Sequence, residues 1–123
     1  MAGKDSYYGY KVRKDLYPGE DDYFSKNRNV SGMASEDKKI IFNPYSSKNI
    51  NRESVGKNEG SRLWLRENRV VPDFKITPEQ RKLFEGTAYA KDELALKHTI
   101  LGRIISGDSS VGKITEEQGK WAG

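Results

Sequence analysis

Asp92-Glu-Leu-Ala-Leu-Lys-His-Thr-Ile-Leu-Gly-Arg-Ile-Ile-Ser-Gly107 is the stretch on which the fold of this chain turns. Leu94, His98, Leu101, Ile104 and Ile105 recur at helical spacing, with Leu96 and Ile100 alongside, so one face of a helix is apolar. Asp92 stands where an N-cap belongs, and Gly107 supplies the residue that most easily ends a helix. The spacing predicts a helix from about Asp92 through Ser106, with its stripe at the centre of the core.

Three further helices are predicted on either side of it. Upstream, Asn51 is an N-cap for a helix from Arg52 to about Asn68. Gly56 and Gly60 lie on one side of that helix, where each costs about 1 kcal/mol relative to alanine but lets another backbone approach closely. Glu59 falls between Val55 and Leu63, and a carboxylate there is expected to pair with Arg62 or Arg66. Thr77-Pro78-Glu79-Gln80 opens a short helix ending near Glu85–Gly86, because Thr caps, Pro takes the first helical position and Gln closes the capping box. Thr115-Glu116-Glu117-Gln118 repeats that box and starts a last helix carrying Trp121. Lys39-Ile-Ile-Phe42 is the strand candidate, and Asn43-Pro44 closes it. Pro18-Gly19 reads as a turn, with a short helix over Glu20 to Lys26, and Ser31 to Asp37 as a polar connector. The expected fold is therefore a small, mainly α single domain: three or four short helices and a minor β element over residues 33–123, preceded by an extended, Tyr-rich N-terminal arm over residues 1–32.

Composition limits what such a chain does. Of 123 residues only 34% are hydrophobic and 33% are charged, so the core is small. The net charge is +4, and its excess sits in the middle. Residues 33–71 carry eight Lys or Arg against five Asp or Glu, whereas residues 72–123 carry eight of each. A bias this mild permits a nucleic acid or an acidic protein as partner without requiring either. The absence of cysteine excludes disulfides, thiol catalysis and thiolate-bound zinc. MAGKDSYYGYK has no apolar segment of the kind a signal peptide needs, and no apolar run reaches the ~20 residues of a membrane helix. A cytoplasmic or virion location is expected, with no membrane contact.

Two motifs invite a catalytic reading and lack the residues for it. Gly107-Asp-Ser-Ser-Val-Gly112-Lys113 has the glycine and lysine spacing of a phosphate-binding loop, but Ile114 stands where a Ser or Thr would hold magnesium. The segment also follows a helix rather than a strand, so it reads as a capped helix end and a connector. Asn58-Glu59-Gly60-Ser61-Arg62 has the register of a zinc-protease helix with both histidines replaced, and reads as a helix with a partly buried Glu–Arg pair. His98 has no carboxylate, nucleophile or metal ligand at working spacing, and reads as a packing histidine. No catalytic residue, cofactor site or metal site is expected.

The candidate binding residues are of two kinds. Arg62, Arg66 and Arg69 form a basic ridge at helical spacing, suited to phosphates or an acidic protein surface. The arm holds five of the seven tyrosines, Tyr7, Tyr8, Tyr10, Tyr17 and Tyr23. Interleaved with Lys11, Arg13 and Lys14, they could stack single-stranded bases, anchor on a partner protein, or cover the chain's own core. The arm's near-neutral charge weighs against the first, because a nucleic-acid grip needs surplus positive charge.

Gly32-Met33-Ala34, Ile41-Phe42-Asn43-Pro44-Tyr45-Ser46, Asn58-Glu59 with Arg62, Thr77-Pro78-Glu79-Gln80 and Ile104-Ile105-Ser106-Gly107-Asp108 make a pattern that resembles small uncharacterised tailed-bacteriophage proteins. The resemblance spans residues 32–107 and brings no catalytic residues with it. It implies a viral accessory or virion-associated protein. The resulting expectation is a non-enzymatic protein–protein interaction protein, a phage accessory or minor virion or assembly component, whose partner is another protein, viral structural proteins among the candidates. The alternative is a nucleic-acid-binding accessory protein using the arginine ridge and the arm tyrosines.

Overall fold

The computed structural model of the chain describes residues 5–46 and 51–123. In chain order they form β1 (Ser6–Tyr7), β2 (Tyr10–Lys11), α1 (Pro18–Lys26), β3 (Gly32–Ala34), β4 (Ile40–Phe42), α2 (Arg52–Glu67), α3 (Pro78–Leu83), a 3-10 turn (Ala88–Lys91), α4 (Glu93–Ser106) and α5 (Glu116–Ala122). Helices dominate, four of them with seven residues or more, and two small antiparallel sheets pair β1 with β2 and β3 with β4. The fold is thus mainly α with a minor β element.

The central helix forms as its residues dictate. Asp92 caps α4 by accepting from the Ala95 N–H, and Gly107 ends it in the left-handed conformation at φ +80°. Leu96, Ile100 and Leu101 are buried among Leu65, Phe74, Ile76, Phe84 and Val111, which together make the main core. The stripe is not buried throughout. Leu94 in the first turn is 45% exposed, one turn before His98, whose Nε2–H donates to Val70 C=O at 2.8 Å. Burial on this face therefore extends only as far as the α2 connection reaches.

α2 runs antiparallel to α4, with Asn58 beside Ser106 and Ser61 beside Gly102. Ser61 Oγ donates to Gly102 C=O at 2.9 Å, a contact possible only because both residues are small. Both predicted capping boxes are present, Thr77 with Gln80 and Thr115 with Gln118. The two glutamines also meet: each Nε2 donates to the other's Oε1 at 2.8 Å, and Gln118 Nε2 donates to Lys75 C=O. The start of α3 is thereby tied to the start of α5.

The N-terminal region corrects the expectation of an extended arm. Residues 5–32 fold as a tight hairpin, which lies on α2, followed by α1, which is fastened to Arg13 through Glu20 and to Tyr45 through Asp21. Pro18 opens α1 rather than ending a turn before it, because proline suits the first helical position and Glu20 Oε1 accepts from the Tyr17 N–H at 2.9 Å. The connector over Ser31–Asp37 contains β3, which pairs Met33 with Ile41 of β4. Val12 bridges to Ile40 in parallel, and the Arg13 N–H donates to Ile40 C=O, so the arm borders β4 on its other side. Tyr7 lies in the groove over Gly56 and Gly60, where a Cβ on Gly60 would stand 2.8 Å from Tyr7 O. The close approach expected of that glycine pair is therefore made by the chain's own arm. The arm has too few aliphatic residues to form a core of its own, but it completes one with Ile40 and Leu63. Residues 1–4 of the arm lie outside the described residues.

Candidate functional site

Helix α2 presents opposite faces to different neighbours. Gly56 and Gly60 meet Tyr7, while Asn58, Glu59 and Arg62 face a cleft of about 520 Å3. Ser31 to Ala34 form one wall of this cleft. Thr87 and Tyr89 contribute another, and Thr99 and Arg103 of α4, with Asp108 and Ser110 beyond it, complete the lining.

The floor of the cleft is an ion pair. Arg62 Nη2 lies 3.4 Å from Glu59 Oε2, and both side chains are about nine-tenths buried or more, at 6% and 10% exposure. The Arg62 guanidinium also sits 4.7 Å from the Tyr89 ring centroid, a cation–π contact. Burial works against the Arg62 charge, but the Glu59 carboxylate and the tyrosines Tyr89 and Tyr23 more than offset it, so its pKa lies above the ordinary arginine value. Tyr89 is pushed up by burial and by Glu59. Despite this pairing, Arg62 Nε, Arg62 Nη1 and Glu59 Oε2 have no hydrogen-bond partner. Buried polar groups of this kind cost roughly 1–3 kcal/mol each when left unmet, and more when charged.

Several of the surrounding polar groups are bonded to one another. Asn58 Nδ2 donates to Asp108 Oδ2 at 2.6 Å, and Asn58 Oδ1 accepts from Ser106 Oγ at 2.5 Å. Burial alone would raise the Asp108 pKa, but the Asn58 amide and the Ser110 backbone N–H outweigh it and hold the carboxyl below its ordinary value. Arg103 stacks 4.6 Å from the Phe84 ring centroid and donates to Ser110 Oγ at 3.0 Å. Among the described lining residues the charges are Glu59, Asp108, Arg62 and Arg103, which sum to zero.

No protein-family model matches the chain, and no curated protein or solved structure is significantly similar to it. The site's chemistry therefore rests on its own geometry. Among the described residues no group of three or more His, Asp or Glu side chains is arranged to hold a metal ion. No helix among them is long and apolar enough to cross a membrane.

The sequence-predicted binding residues do not form one surface. Arg62 is buried at 5% exposure, so the ridge it was to share with Arg66 and Arg69 is broken. Arg66 and Arg69 remain exposed. The Arg66 pKa is lowered by partial burial and by the neighbouring Arg62 charge. Arg69 lies past the end of α2 with φ +55°, off the helical spacing. Of the tyrosines, Tyr7 is in the core and Tyr10 is half-buried, its hydroxyl bonded to the Glu67 carboxylate. Burial and Glu67 push the Tyr10 pKa up to about 12. Tyr23 is half-buried against Phe24 and borders the cleft. Tyr8 and Tyr17 are exposed at 43% and 54%, with Arg13 stacked 4.0 Å from the Tyr17 ring centroid.

Sequence reasoning did not foresee the convergence of Arg103, Tyr89 and Asp108 on α2. A signal was present in the two motifs that lack catalytic residues. Asn58, Glu59 and Arg62 come from one and Asp108 and Ser110 from the other, and the antiparallel packing of α2 on α4 brings them together.

Proposed function

We propose that this chain is a non-enzymatic protein–protein interaction protein, a phage accessory or minor virion or assembly component, whose recognition centre is the Glu59–Arg62 cleft. The observation that carries this reading is the buried ion pair with three unmet polar atoms on the floor of an open cleft. Those atoms are closed to solvent, so a partner meets them only by displacing part of the lining above them, and binding of that kind is where their cost is recovered. Asn58, Arg103, Ser106, Asp108 and Ser110 beside the pair are already bonded among themselves, which suits a receptor better than a set of moving proton-transfer groups. The likeness of residues 32–107 to small tailed-bacteriophage proteins supports the viral setting.

The test is capture by the tagged chain from lysate of the infected host, with and without nuclease, read by mass spectrometry. The expected result is a stoichiometric protein that survives nuclease and is lost from a Glu59→Leu/Arg62→Met double variant. That variant replaces the buried pair with apolar groups of similar size, a change usually neutral or stabilising for the fold. Recovery that collapses with nuclease, or that is unchanged in the variant, overturns the proposal.

A further inference from the structure

The last part of the chain repeats an earlier one. Lys75-Ile-Thr-Pro-Glu-Gln-Arg-Lys-Leu-Phe84 and Lys113-Ile-Thr-Glu-Glu-Gln-Gly-Lys-Trp-Ala122 are identical at six of ten positions. The first copy contains α3 and the second α5, each opened by its own Thr–Gln capping box. The two copies meet through equivalent residues. Gln80 Nε2 donates to Gln118 Oε1 and Gln118 Nε2 to Gln80 Oε1, both at 2.8 Å. Each Oε1 also accepts from the N–H of its own threonine. Glu117 Oε1 accepts from the Lys75 N–H at 3.0 Å. Glu79 lies in the corresponding place against the residue before Lys113, where a Cβ on Gly112 would stand 2.8 Å from its Oε1. The joint is thus complementary to itself: what one copy offers, the other answers with the same residue type. Such reciprocity is the mark of a two-fold interface between identical subunits.

The second copy is lightly joined to the rest. It follows a connector, Gly107 to Ser110, in which Gly107, Ser109 and Ser110 are exposed. Beyond the connector, Val111 and Gln118 are fully buried and Ala122 is half-buried on the main core. α5 has only seven residues and needs a receiver to persist as a helix. A second chain offers a receiver made of the same residues. Exchange would conserve every contact of the joint, so the connector and the surface newly covered decide between a closed chain and an exchanged pair. Such a surface is present. Leu83 and Ile114 are 51% and 42% exposed. Both flank the connector: a Cβ on Gly112 would stand 3.4 Å from Leu83 Cδ1, and Ile114 is two residues further on. They stand where the connectors of an exchanged pair would cross, and covering them favours the pair.

We infer that this chain associates with a second copy of itself as a two-fold dimer in which residues 111–123 are exchanged, α5 of each copy pairing with α3 of the other through Gln118 and Gln80. The inference rests on the repeated segment and does not depend on the Glu59–Arg62 cleft as a recognition centre.

The experiment mixes isotope-labelled and unlabelled full chain, unfolds and refolds them together at millimolar concentration, and reads mass by light scattering and contacts by isotope-filtered NMR. The expected result is a dimer with NOEs between the side-chain amides of Gln80 and Gln118 on different chains. Deleting Ser109 and Ser110 hinders α5 from folding back and should keep the dimer on dilution. Leu83→Ser/Ile114→Ser changes two exposed side chains and should leave the fold intact while raising the dimer dissociation constant about tenfold. A labelled peptide of residues 111–123 should bind the full chain in trans, and its Gln118→Leu form should not. A dimer whose Gln80–Gln118 NOEs stay within one chain overturns the inference, as does a shortened chain that folds and remains a monomer. If the shortened chain does not fold, the parent protein decides: a monomer at millimolar concentration that ignores the peptide overturns the inference as well.

Discussion

The two ends of this molecule are held by different forces. The C-terminal region, residues 51–123, is built on apolar burial: Leu65, Leu96, Ile100, Leu101, Phe84 and Val111 are at most 2% exposed. The N-terminal region, residues 5–46, has few such residues and is fastened by polar contacts of defined geometry. Arg13 meets both Glu20 carboxylate oxygens, at 2.9 and 2.7 Å, and reaches Asp37 at 3.1 Å. Asn43 Nδ2 donates to the C=O groups of Asn27 and Val30, and Tyr45 hydroxyl donates to Asp21. Apolar burial is nondirectional and tolerates some slippage, whereas these bonds hold only in one arrangement. A chain poor in aliphatic residues at its start can still order that start, provided a helical face receives its hairpin.

The largest expected effect tests the dependence of one region on the other. Ile100 is fully buried in the helical core, and Ile100→Ala should cost about 2–5 kcal/mol of global stability. Denaturant unfolding followed by both tyrosine fluorescence and far-UV circular dichroism should show the two signals moving together to a lower midpoint. Separate transitions would mean that the N-terminal region does not need the helical layer.

A smaller effect should separate the regions in the other direction. A Cβ at Gly60 would stand 2.8 Å from Tyr7 O and 2.9 Å from Tyr7 Cβ, so Gly60→Ala should lift the hairpin while favouring α2 by about 1 kcal/mol in propensity. Hydrogen exchange should speed up at residues 6–12 and stay slow in α4. Equal acceleration in both would show that hairpin and helices open as one unit.

The smallest effect concerns the Arg13 cluster. Glu20 is held below the ordinary carboxylate range chiefly by Arg13, and Asp37 by Ser35 and then Arg13. A lowered folded-state pKa stabilises above the unfolded value and loses that contribution as pH falls through the folded value. Docking of α1 should therefore weaken below about pH 4, the ordinary carboxylate range. In Arg13→Ala, amide exchange over residues 13–26 should be faster at neutral pH and change less on acidification. Acid sensitivity equal to that of the parent protein would place the pH response elsewhere.

Local signals in the sequence proved reliable wherever a local rule governs. The caps at Asn51, Thr77, Asp92 and Thr115 and the stop at Gly107 depend on neighbours within a few residues, and they form as the residues dictate. The β4 strand and the Glu59–Arg62 pair follow from similarly short-range patterns. The extended arm did not hold, because whether Tyr7 stays in water depends on a glycine groove some fifty residues away. The ridge did not hold either: spacing places Arg62 with Arg66, but the neighbours of α2 bury the one and leave the other exposed.

The amino-acid sequence by itself determined the helical class, the caps at Asn51, Thr77, Asp92 and Thr115, the stop at Gly107, the small core and the lack of thiol chemistry. Each follows from residue identity or from periodicity along one segment. Only the tertiary structure decided that the tyrosine-rich start folds inward, that the Gln80 and Gln118 capping residues tie α3 to α5, and that Asn58, Glu59, Arg62, Arg103 and Asp108 share one cleft. Those outcomes depend on which side chains meet across long separations, and such meetings are fixed by helix packing and the burial it imposes rather than by any local pattern.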